Sequence, residues 1–165
     1  MITGGKELEK RLDKMSKMDL KGAVGEAISY VQSAAKAGCP VGNGELRDSI
    51  YASVDEEENV IRGTCYTDKG YAPYVEFGTG PKGQAEHAGV SPNVAVAYTQ
   101  SPWWIHESQI DEGAAEKYHF PYIDTPQGRF YRCAGQPAQP YMYPALKDNE
   151  EAILNIISNA IKERL

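Results

Sequence analysis

Leucine, isoleucine, valine and phenylalanine are scarce in this chain: they make up thirty of its 165 residues, about 18%. That is close to the composition of chains too poor in apolar side chains to fold. Disorder also needs strong self-repulsion, however, and a formal charge of −6 is modest. No apolar run approaches the ~18–20 residues of a membrane span. The opening Met1–Met15 carries charges where a signal peptide needs an apolar stretch, so a soluble chain made in the cytosol is expected. Cysteine is sparse too. Cys39, Cys65 and Cys133 are odd in number and form no C-x-x-C pair, which argues against a disulfide framework and for small half-buried hydrophobes. Basic residues number 17 against 23 acidic, and the pI is about 5.1, which speaks against general nucleic-acid or anionic-membrane binding.

Eleven tyrosines and eighteen alanines fill much of the space left by the missing aliphatics. The length suits one ordinary domain, 1–165, with a thin aliphatic core that draws part of its burial from a partner. Leu8, Leu12, Met15 and Met18 mark one stripe of an amphipathic helix over Lys6–Met18, which Thr3 can cap. A second helix, Lys21–Ala37, has the stripe Val24, Ala27, Ile28, Val31 and Ala35 and stops at Gly38 and Pro40. Its alanines allow close approach. Alternation in Ser49–Val54 and then Val60–Tyr66 predicts an antiparallel hairpin, with the acidic run Asp55–Glu58 and Asn59 as its solvated turn. For Tyr71–Phe77, strand and short helix both fit.

From Gly78 to Gln136 the sequence reads as a loop-rich insertion pinned by Trp103, Trp104, Tyr118, Phe120 and Tyr122, taking its order in an assembly. Phe130–Cys133 returns as a candidate strand within it. Ile153, Ile156, Ile157, Ala160, Ile161 and Leu165 line a C-terminal helix that begins near Tyr143 or Pro144. The fold class is α+β: two N-terminal helices and a C-terminal helix packed on a small antiparallel sheet, with a long aromatic-rich loop.

Catalytic patterns are weak. Gly78-Thr79-Gly80-Pro81-Lys82-Gly83 satisfies G-x-G-x-x-G, but a dinucleotide site needs a helix opening at the loop and an acidic residue about 20 positions on. Neither is expected here: the following Gly83, Gly89 and Pro92 work against a helix, and Glu107 and Asp111 come too late. His106-Glu107-Ser108-Gln109-Ile110 lacks the second histidine of the zinc-protease helix. A metal-assisted hydrolase using His106, His119 and nearby carboxylates is the alternative reading. The main one has no catalytic residue, cofactor or metal.

Three stretches carry a resemblance when taken in order. They are Pro40–Ile50 after the second helix, then Tyr71-Ala72-Pro73-Tyr74-Val75-Glu76-Phe77-Gly78-Thr79-Gly80, then Pro137-Ala138-Gln139-Pro140 leading through Tyr141–Leu146 into the last helix. Together they resemble the tailed-phage neck and minor-tail family typified by the gene-ten product of the lambdoid phage HK-ninety-seven, over residues 4–165. The Trp103-Trp104-Ile105 segment looks like the form found in prophages of Gram-positive bacteria. One departure is Gly42-Asn43-Gly44, where the family usually has Asp-Thr-Gly; Asn43 still suits a tight turn and Gly44 a positive φ.

The resemblance implies a non-enzymatic virion protein at the head–tail junction. It would form a ring of six or twelve copies joined to the connector and tail-terminator proteins, with DNA passing through the channel and no membrane involved. Interface and structural roles then fall to Tyr71, Tyr74, Glu76, Phe77, Gly78, Thr79, Gly80, Trp103, Trp104, Pro137, Gln139 and Pro140. Tyr74, Val75 and Phe77 are expected to set the core under the Gly-Thr-Gly loop. Glu76 would accept backbone N–H bonds there or pair across a subunit contact. Gly78 and Gly80 would supply a positive φ or a close approach, and Pro137 and Pro140 would hold Ala138-Gln139 extended.

Overall fold

Three alanines and a valine, spaced four residues apart, make the buried side of the second helix. A computed structural model describes residues 5–16, 20–58 and 60–163. Helix α1 spans Gly5–Ser16 and α2 spans Leu20–Gly38, whose buried residues are Ala23, Ala27, Val31 and Ala35. Leu8 on α1 is exposed. Thr3 and Met18, and the side chains of Leu12 and Met15, lie outside the described residues, as do Asn59 and Leu165.

After α2 the chain turns at Gly44, whose φ of 90° is the left-handed value expected there; Asn43 Oδ1 accepts the Glu45 N–H at 3.2 Å. A single turn of helix, α3 (Glu45–Asp48), carries the buried Leu46 to Ser49 and Ile50. There β1 (Ile50–Glu57) begins, and it pairs antiparallel with β2 (Val60–Thr67) from Ile50↔Thr67 to Glu57↔Val60. The Ser49 and Thr67 hydroxyls lie 2.7 Å apart and tie the open end together. The predicted hairpin is thus present, but its first strand runs on through Asp55, Glu56 and Glu57. Cross-strand pairing outweighs the poor strand propensity of these acids, because on an exposed tip they stay hydrated.

The hairpin lies close against α2. A Cβ on Gly63 would stand 3.0 Å from Ile28 Cβ and 3.1 Å from Val24 Cγ1, so a larger residue would have to push these side chains back by a few tenths of an ångström. Gln32 Nε2 donates to the Ile50 carbonyl at 2.7 Å, satisfying a β1 carbonyl from the helix.

The C-terminal segment differs from the single helix expected. It is two helices, α7 (Met142–Lys147) and α8 (Glu150–Lys162), and both pack on α2 rather than chiefly on the sheet. The break falls at Asp148-Asn149. Asn149 Nδ2 donates back to the Ala145 carbonyl at 3.0 Å, and the Tyr30 hydroxyl donates to Asn149 Oδ1 at 3.3 Å. Side-chain bonding of this kind competes with a continuous helix. Tyr141, 2% exposed, anchors the start of α7.

These elements, up to Lys69 and from Tyr141 onward, form one compact unit; residues 70–140 form another. The second unit holds α4 (Ala72–Phe77), α5 (Gly80–Ala85), β3 (Trp103–His106), α6 (Glu112–Lys117), β4 (Tyr122–Thr125) and β5 (Gly128–Cys133). The stretch expected as a loop-rich insertion therefore contains a three-stranded antiparallel sheet of order β3-β5-β4. Its aromatics sit largely in strands, where the pleat suits them. The Tyr71–Phe77 ambiguity resolves as helix.

Candidate protein–protein interface

The second and third motif stretches, some sixty residues apart in sequence, meet side by side within the 70–140 unit. The Thr79 N–H donates to the Gln136 carbonyl at 2.9 Å, and the Gln136 N–H returns to the Thr79 carbonyl at 3.2 Å. Gln136 Nε2 donates to the Tyr74 carbonyl at 2.7 Å. The Gln139 N–H reaches the Val75 carbonyl at 2.8 Å, and the Ala138 N–H reaches that of Glu86 at 2.8 Å. Crossing backbones need bare Cα positions. A Cβ on Gly78, whose φ is 73°, would fall 2.7 Å from Ala138 N and 2.8 Å from Gln136 O. Gly80, with φ 60°, faces the Trp103 ring and the Ala134 carbonyl. Positive φ and close approach thus operate together at both glycines.

The G-x-G-x-x-G match is now explained without a nucleotide. The element before it is helix α4, not a strand, and Gly83 lies against Gly78 and the Tyr98 ring. A six-residue helix, Gly80–Ala85, does open here, contrary to expectation: Pro81 fits its first turn and the chain folds back on residues 134–138. The three glycines are taken up by the fold.

Helix α4 also corrects the expected core. Ala72 and Glu76 are buried, Val75 and Phe77 are half-buried, and Tyr74 is 59% exposed. At ~100° per residue, position 74 points well away from the side shared by 72 and 76. Tyr71 is exposed as well, so both tyrosines of the motif face outward.

In the three-stranded sheet, alternation separates the paired tryptophans. Trp103 is half-buried and shares its face with Ile105, Tyr131 and Cys133; Trp104 is 47% exposed on the opposite face, across from Arg132. Tyr131 is buried, and Tyr122 lies against it at 6.1 Å between ring centroids. Arg129 stands 4.0 Å over the Tyr122 ring and binds Asp124 at 2.8 Å. That hydrogen bond from Arg129 holds the Asp124 carboxyl below the usual range. On the other unit, Tyr51 and Tyr66 face each other across the hairpin at 5.7 Å, both exposed. Tyr51, Tyr66 and Arg132 were not among the residues singled out from sequence, and Tyr122 was named only as an aromatic pinning the insertion; once the hairpin register is counted from its turn, the 51–66 pair is readable.

The hydrolase alternative fails on donor geometry. Among the described residues no three of His, Cys, Asp and Glu are grouped to hold a metal ion. The ring nitrogens of His106 are engaged by Ser108 Oγ at 2.8 Å and the Gln127 carbonyl at 3.0 Å, and Glu107 Oε1 accepts the Arg129 N–H. His119 stands exposed after α6 with φ 48°. An open cleft beside the hairpin tip is lined by Asp55, Glu57, Glu58, Val60, Arg62 and Thr64, three carboxylates against one guanidinium. Also among the described residues, no helix is long and apolar enough to cross a membrane.

Residues 5–78 span α1, α2, α3, the β1–β2 hairpin and α4. These residues match the family described as "Bacteriophage HK97-gp10, putative tail-component", and over that span, somewhat less than half of the chain, the protein is similar to that family. The match holds the first motif stretch and most of the second; the Pro137–Leu146 stretch lies beyond it. No curated protein and no solved structure matched the chain.

Proposed function

We propose that this protein is a non-enzymatic virion component of the phage head–tail junction, made in the host cytoplasm and assembled as a ring that joins the capsid connector to the tail. The observation that carries the reading is the family match over residues 5–78. Exposed Tyr51, Tyr66, Tyr74, Trp104 and Tyr122 support it, because large amphipathic rings give contact area at low rotamer entropy. A ring of six or twelve copies is proposed, with DNA passing through its channel and the tail-terminator protein as a neighbour. Trp103 and the paired Gly78–Gly80 and Pro137–Pro140 stretches are assigned to shaping the surface, while Tyr71, Tyr74 and Trp104 are assigned to touching neighbours.

Deletion of the gene from an inducible prophage, followed by electron microscopy of the lysate, tests this. Filled heads and separate tails are expected, with joined particles restored by the gene in trans. Normal joined virions from the deletion strain would refute the junction role.

A further inference from the structure

Trp104 and Arg132 stand opposite each other across β3 and β5, and the neighbouring row of the same sheet face holds His106, Phe130 and Ile123. Trp104 and Ile123 are each 47% exposed, and Arg132 has no carboxylate partner among the described residues. Tryptophan and arginine are the types in which binding energy concentrates. An apolar face holding one uncompensated guanidinium is complementary to a projecting element that is both acidic and partly apolar.

The chain carries such an element at the hairpin tip. Asp55, Glu56, Glu57 and Glu58 are all exposed, and Val60, opposite Glu57, is 59% exposed. Glu56, Glu57 and Glu58 have no cationic partner among the described residues. With a net charge of −6, two copies repel on average, so a contact between them needs a place where opposite charges meet.

We propose that the Trp104–Arg132 sheet face of one copy receives the acidic hairpin tip of a second copy. The two patches differ, so the contact is head-to-tail and passes from copy to copy around a ring. This inference rests on the ring reading and names its interface.

Sedimentation velocity of the full chain over a concentration series, at low and high salt, tests it. Four variants are compared: Trp104→Ala, Arg132→Glu, the pair Glu57→Lys with Glu58→Lys, and the combination of that pair with Arg132→Glu. Circular dichroism confirms that each is folded. Self-association should weaken at least about tenfold in the first three and recover in the combined variant, because reversing both charges restores the attraction. High salt should weaken the wild type. A wild type that assembles while the first three variants assemble equally well would overturn this interface and leave the ring reading standing. Loss in the charge reversals without recovery in the combination would overturn the tip-to-face pairing. A wild type that stays monomeric throughout would overturn both readings.

Discussion

Replacing Gly78 with alanine inserts a methyl group where two chain segments cross. The new Cβ would sit 2.7 Å from Ala138 N, 2.8 Å from Gln136 O and 2.8 Å from Gly83 Cα, all backbone atoms that cannot swing aside. Holding alanine at φ 73° and ψ −179°, a backbone region used almost only by glycine, costs about 1–3 kcal/mol. Relieving the overlap costs about 1–3 kcal/mol more. Moving the segments apart stretches the bond from Thr79 N–H to the Gln136 carbonyl and that from Gln139 N–H to the Val75 carbonyl, each worth about 1 kcal/mol. The sum is at least about 3 kcal/mol, a large share of the ~5–15 kcal/mol that holds a domain folded. Urea unfolding followed by tryptophan fluorescence reports on this unit directly, since Trp103 and Trp104 both lie in it. With a slope of about 1–3 kcal/mol per molar urea, the midpoint should fall by roughly 1–3 M. Gly42→Ala and Gly70→Ala serve as controls: nothing lies within 4 Å of either added Cβ, and a change within about 1 kcal/mol is expected. A Gly78→Ala shift no larger than those of the controls would refute the crossing-backbone argument.

Two further perturbations address the helix-and-hairpin unit. Ile50 is 0% exposed at the start of β1, so Ile50→Ala should cost about 2–5 kcal/mol by thermal unfolding; a loss under ~1 kcal/mol would mean that the site collapses around the cavity. Burial raises the Cys65 thiol above its ordinary 9.0, with Lys36 pulling partly the other way. A raised folded-state value favours the protonated native form, so its stabilisation is complete below pH 9.0 and is lost as pH rises through the folded value. The Cys65 thiol of a Cys39→Ser, Cys133→Ser background should therefore react more slowly with a disulfide reagent at mildly alkaline pH than the same chain in urea. Equal rates would contradict the half-buried placement of Cys65.

Local signals identified what local physics determines. The α2 stripe, the hairpin and the positive φ at Gly44, Gly78 and Gly80 all follow from nearby residues. The three-stranded sheet was not readable because β3 and β4 are only four residues each, too short to show a period. Their partner β5 was visible only as Phe130–Cys133, and nothing in the sequence linked it to a tryptophan pair some thirty residues earlier. The break between α7 and α8 has no glycine or proline to mark it. Its cue is Asp148-Asn149, residue types that favour helix caps, and the Tyr30 contact that fixes it comes from another helix. Of the residues singled out for an interface, outward-facing Tyr71, Tyr74 and Trp104 were separable from inward-facing Trp103 and Glu76 only once helix phase and strand register were known.

The hydrogen bonds joining Thr79 to Gln136 and Val75 to Gln139 have a topological consequence. They close residues 75–139 into a loop whose two ends leave from the same point. Chain added or removed inside that closure changes the contour between the ends without changing where they emerge, and the entropic cost of closing a longer loop grows only logarithmically. A change of length inside that closure, in the segment bearing Trp104 and Arg132, would therefore leave the hydrogen-bonded stem at its base in place.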